Sequence, residues 1–146
     1  MIRDPQALEE RRDAWRSLRD YQGRITRSLA FSFARGGFFS HGAAELSNNL
    51  FMVFAFGVLH DVLLQLRDEG HFAERDSRLG PTMSASRDAL PWEDFDRLDR
   101  GRERRNDVAH RGMVLPREEC RELIDAIEVQ PLAWKIITQV TEGQPD

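Results

Sequence analysis

The chain has 146 residues, enough for one domain around one core. It is 40% hydrophobic and 32% charged with a net charge of −4, which excludes a globally basic nucleic-acid binder but leaves room for a local basic patch. Cys120 is the only cysteine, which excludes a disulfide framework and a cysteine-based metal site.

Strand-like alternation between turn dipeptides is absent and helical spacing recurs throughout. This predicts a single all-α domain over 1–146, an up-and-down bundle of four to five helices without internal repeats. Asp4 and Pro5 in "DPQALEE" suit a helix start. Leu8, Trp15, Leu18, Ile25 and Leu29 fall near one face, and Gly36-Gly37 should stop the helix. Met1 to Asp20 is charged throughout, so no signal peptide is expected there. A second helix is expected from about Ala43 to Glu69, stopped by Gly70. Its stripe is Phe51, Phe54, Val58, Val62 and Leu66, widened by Phe56, Leu59 and Leu63, so it should be central or lie in an oligomer interface. Its apolar run, "LFMVFAFGVL" at 50–59, is short of the ~18–20 residues that span a bilayer. A cytoplasmic chain with no membrane partner is therefore expected.

Residues 70–90 lack periodicity and carry Gly, Pro and Ser, which predicts a long, mobile loop. A third helix should run from near Pro91 to about His110, anchored by Trp92, Phe95 and Leu98 and ended by Gly112. Leu115-Pro116 opens a fourth, with Leu123, Ile124 and Ile127 inward. Pro131 should kink or break it, and Leu132, Ile136, Ile137 and Val140 continue in a last segment. The tail at 142–146 should fray.

The third helix ends unusually, in "RERRNDVAHRG" at 102–112. Asn106 and His110 are four apart and share a face, with Arg102 one turn earlier. Arg105 and His110 are five apart, about 140° around the helix, so they converge only if the terminus frays or Arg105 curls over. An arginine, an amide and a histidine at a helix end can hold a phosphate and move a proton. The chain's basic residues are twenty Arg and Lys135, and the planar guanidinium fork suits phosphate, although a GC-rich genome gives the same bias. The alternative is a solvated face, with Arg102, Arg104 and Arg105 paired to Asp99, Glu103 and Asp107, and His110 complementing the helix dipole.

"RRNDVAH" resembles the R-x4-H signature of HEPN domains, small all-α bundles with the motif late in the third main helix and one more helix to follow. The resemblance covers about seven residues in motif and most of the chain in architecture. It implies a metal-independent endoribonuclease that needs no cofactor, in a toxin–antitoxin or phage-defence setting. Arg105 and His110 are then the motif residues and Asn106 the polar residue between them. His110 would act as acid or base at a ribose 2′-hydroxyl or leaving oxygen, and an imidazole, with an ordinary pKa of about 6.5, serves either role. Arg105 would stabilise the phosphorane, and Asn106 would orient His110 or the phosphate. RNA, a homodimer with facing motifs and a cognate antitoxin are the implied partners. Some antitoxins of this family modify a Tyr two residues after the motif His; here that residue is Gly112, and the only Tyr is Tyr21. Two alternatives remain: a non-catalytic HEPN-like dimeric module binding RNA or a protein, and a purely structural bundle.

Other residues weigh less. Asp61 or Glu45 could orient the motif from the second helix, whereas Glu45 also reads as a solvated first-turn acid. His60-Asp61 with His41 resembles HD-phosphohydrolase ligands, but His60 in so apolar a helix reads more simply as a core histidine. "RGGFFSHG" at 35–42 is a helix connection rather than a phosphate loop. Cys120 lacks an activating base, and Trp15, Trp92 and Trp134 read as core anchors.

Overall fold

A computed structural model describes residues 1–34 and 41–137. Among these residues there are five helices and no strands: α1 (Pro5–Ala34), α2 (His41–Asp68), α3 (Leu79–Ser86), α4 (Phe95–Arg111) and α5 (Arg117–Ala133). They form a helical bundle in which α2 packs against all four others, most extensively α5. Gly36-Gly37, Val140 and the 142–146 tail lie outside the described residues.

Asp4 caps α1 as its composition suggests, its Oδ1 accepting from Gln6 N at 2.9 Å and Ala7 N at 3.4 Å. Trp15 and Leu18 are buried, Leu8 and Leu29 half-buried, but Ile25, assigned to the same face, is exposed. The chain start is tied to the end of α2: Glu69 accepts from Arg3 N at 2.7 Å, Asp4 N at 3.1 Å and Gln65 Nε2 at 2.9 Å. Burial works to raise the Glu69 pKa, but these hydrogen bonds and nearby His71 outweigh it and hold the carboxyl at about 2.

Val58, Val62 and Leu66, with Phe56, Leu59 and Leu63, make α2 the spine of the core, whereas Phe54 of the expected stripe is exposed. His60 and Asp61 interrupt the apolar run but not the helix. From Gly42 to Asp68, α2 is by length and composition apolar enough to cross a membrane, contrary to the reading of the uninterrupted run. Half of its most apolar window is buried inside the bundle.

Three further expectations are corrected. The 70–90 segment is not a plain loop, because α3 occupies its middle and buries Leu79, Thr82, Met83 and Ser86. Pro81 falls in the first turn, where no amide donor is needed, and the apolar pair Leu79/Met83 is four apart. The third predicted helix starts at Phe95 rather than Pro91, because Asp94 adopts a left-handed conformation (φ 53°) and accepts from Arg97 N. Trp92 instead packs edge-on against Phe95 and Trp134, with centroids 5.2 and 4.9 Å away. Finally, Pro131 lies inside α5, which ends two residues later. No further helical segment follows within the described residues: Lys135 turns left-handed (φ 57°) and folds buried Ile136 back, its N–H bonded to Pro131 O at 2.8 Å.

Candidate functional site

α4 is the most charged helix of the bundle: ten of its 17 residues are Asp, Glu or Arg. Leu98 and Gly101 are its buried residues, and Val108 packs on the same core. A Cβ on Gly101 would come within 2.5 Å of Leu123 Cδ2 and 3.2 Å of Phe56 Cζ, so glycine permits the close seating of α4 on α2 and α5. Gly112 ends the helix in the left-handed region (φ 63°), its N–H returning to Asp107 O.

The segments on either side of α4 are fixed by two buried carboxamides. Asn49 of α2 accepts from Leu115 N at 2.8 Å and donates to Leu115 O at 2.9 Å. Gln130 of α5 does the same to Glu93, with 2.8 Å in each direction. A side-chain amide, with one donor and one acceptor end, pairs with a peptide as a neighbouring strand would. Sequence reasoning missed both residues. Asn49 is the second of two asparagines that open the apolar run of α2, and Gln130 is a lone amide between Val129 and Pro131; a polar amide at the edge of an apolar stretch is the signal that could have found them.

The arginines of "RERR" divide. Arg102 Nε donates to Asp99 at 2.9 Å, and its guanidinium lies 3.3 Å from where a Cβ on Gly80 of α3 would sit. Arg104 grips Glu119 of α5 at 2.7 and 3.2 Å, a bond that raises its pKa, and touches the Met113 sulfur at 3.5 Å. Both behave as ion-paired surface residues, although Arg104 pairs with Glu119 rather than with Glu103 or Asp107. Arg105 has no carboxylate partner among the described residues. It follows Leu98, Gly101 and precedes Val108 in the register of the buried stripe, and it is half-buried. Its Nη1 donates to Asn106 Oδ1 at 3.1 Å, and its Nε is buried without a partner. Asn106 is also half-buried.

His110 is exposed in the last turn and makes no hydrogen bond or ion pair among the described residues. The structure thus brings Arg105 and Asn106 together and leaves His110 one turn beyond Asn106, unlinked to either. Asp61 and Glu45 are exposed and bond to none of the three. The pKa of Cys120 is pushed up to about 11 by burial first and then by the charges of Glu119 and Glu45. That thiol is no nucleophile at neutral pH. His60 Nε2 lies 2.7 Å from Ser77 O and so pins the segment before α3. No three His, Cys, Asp or Glu side chains group as metal ligands among the described residues. The grooves between α1 and α5, lined by residues such as Arg19, Thr26 and Arg121, include none of Arg105, Asn106 and His110. The motif is thus a half-buried cationic fork beside an amide, with an exposed imidazole one turn away at the helix end. Compared with protein-family models, curated proteins and solved structures, the chain matches none.

Proposed function

We propose that this bundle is HEPN-like, up-and-down in topology, and acts as a metal-independent endoribonuclease, a toxin or phage-defence effector in the cytoplasm. One observation carries the reading: Arg105, alone among the arginines of "RERR", has no carboxylate partner among the described residues and holds the adjacent Asn106. A half-buried guanidinium without a carboxylate partner suits an anion such as phosphate.

In the cleavage step, the ribose 2′-oxygen bonds to phosphorus while its proton passes to a base. The bond from phosphorus to the 5′-oxygen breaks, and that oxygen leaves with a proton. His110 takes or supplies one of these protons, and Arg105 stabilises the charge on the equatorial oxygens. Asn106 holds the Arg105 fork. Arg102 adds positive charge one turn earlier, while Asp61 and Glu45 are secondary candidates for orienting groups. RNA is the substrate because DNA lacks the 2′-hydroxyl. A second copy of the chain and a cognate antitoxin are the proposed protein partners.

Incubation with RNA in excess EDTA tests this. Products should carry 2′,3′-cyclic phosphate and 5′-hydroxyl ends, and a 2′-O-methyl at the cut site should block the reaction. Loss of cleavage in EDTA with 5′-phosphate ends would refute the mechanism. The lack of any bond from His110 to Arg105 or Asn106 favours a second reading, a non-catalytic dimeric module that binds RNA or a protein through Arg105. Intact RNA that nevertheless binds would select it.

A further inference from the structure

α1 has 30 residues, roughly 45 Å of helix at the standard rise, yet among the helices it packs only on α2. Its side chains reach α5 through Arg19, which pairs with Asp125 and Glu128. After Leu18, no α1 residue through Phe31 is buried. Residues 20–31 of α1 therefore lie along residues 42–54 of α2 as a two-helix arm that is covered on one side only, where Ala44, Asn48, Asn49 and Met52 of α2 are buried.

The arm carries exposed apolar side chains on both helices: Tyr21 63% and Ile25 36% on α1, and Leu50 59%, Phe54 51% and Leu46 50% on α2. They share one flank. Arg19 and Gly23 line the groove toward α5, and Tyr21 and Ile25 follow each by two residues, about 200° around the helix. Ala44 and Asn48 line from α2 an adjoining groove that shares Thr26 and Arg121 with the first, and Leu46 and Leu50 again follow by two. The apolar flank is thus turned away from α5.

We infer that this flank of the arm is the docking surface for a second copy of the chain, two arms packing into a four-helix bundle. The inference names the surface of the proposed homodimer and rests on the exposed face, not on the ribonuclease reading. Area supports it. An aromatic side chain presents ~150–250 Å², so Tyr21 and Phe54 leave on the order of 200 Å² open, and the three aliphatic chains bring the face to on the order of 500 Å². That is at the upper end for a monomer's patch, and with a polar rim it approaches the ~800 Å² per partner of a stable interface. Charge supports it too. In the arm, Arg24 and Arg27 balance Asp20 and Glu45 for a net of zero, so two copies meet without repulsion, whereas an anionic membrane or nucleic acid would find no excess of basic residues.

Light scattering at micromolar concentration should give twice the 16.9 kDa chain mass. Leu50→Glu with Phe54→Glu should shift it to the single-chain mass with an unchanged helical circular dichroism signal, while Val129→Glu, at an exposed apolar site on α5, should leave the dimer intact. If the glutamates disturb folding, Leu50→Ala with Phe54→Ala should raise the dimer dissociation constant at least tenfold. A wild-type chain of single mass overturns the inference, as does one that remains single and binds phospholipid vesicles. A dimer that survives both double variants overturns it as well. Cleavage assays are separate, so an inactive dimer would sink the ribonuclease reading and leave this surface standing.

Discussion

α4 and the α1–α2 arm invert the usual relation between composition and fixation. Ten of the 17 residues of α4 are charged, yet carboxamides bracket it and Gly101 seats it closely on the core. The arm is richer in apolar residues, yet leaves Tyr21, Leu50 and Phe54 in the open. Apolar content measures how much a helix could bury. How firmly it is held depends on directional bonds at its ends and on whether a neighbour exists to cover it.

The sharpest way to use that contrast is at the motif. If α4 is fixed so as to present Arg105 and His110, then Arg105→Ala and His110→Ala should each lower RNA cleavage by about 10²–10⁴-fold, with the urea midpoint nearly unmoved for exposed His110. Wild-type rates in both would remove the chemistry from α4. Next in size is the clamp itself. Asn49→Leu strands the buried amide and carbonyl of Leu115, so a loss of about 2–4 kcal/mol is expected in urea unfolding, with faster hydrogen exchange at the Leu115 amide. Unchanged exchange there would mean that the bracket does not hold α4.

Glu69, at the far end of α2 from the arm's tip, offers a smaller, pH-dependent effect. Its carboxyl is depressed to about 2, so the stability it contributes is full above its ordinary pKa near 4.5 and fades as pH falls toward 2. Glu69→Gln should therefore be less stable than wild type at pH 7, with the gap closing in acid. A gap that widens in acid contradicts the assignment. Smallest of all, Asp61→Asn and Glu45→Gln should stay within about 0.5 kcal/mol of wild type in stability, as for surface residues without bonded partners.

The long helices were legible because caps, stops and apolar spacing are local. Asp4 before α1, Gly70 after α2 and Gly112 after α4 acted as the sequence suggests. α3 escaped because its Gly, Pro and Ser read as turn residues, while its support, Met83 and Leu79 against the core, is non-local. Ile25 and Phe54 fit the periodicity of a buried stripe, but periodicity cannot report whether another helix lies opposite. At the site, the spacing to His110 and the register with Leu98 and Val108 single out Arg105 in the sequence, but the ion pair of Arg104 depends on Glu119 across on α5 and could not be read there. Asn49 and Gln130 were invisible for the same reason, since their partners lie 66 and 37 residues away.

Cys120 gives the molecule a clock. It is the sole thiol, fully enclosed on α5, with a pKa lifted to about 11. A maleimide or disulfide reagent at neutral pH finds neither access nor thiolate while α5 is seated. The rate of labelling therefore counts openings of α5 from the spine, one event per molecule. Glu119, which grips Arg104, is its chain neighbour, so a ligand that tightened the end of α4 would slow that count without touching the sulfur.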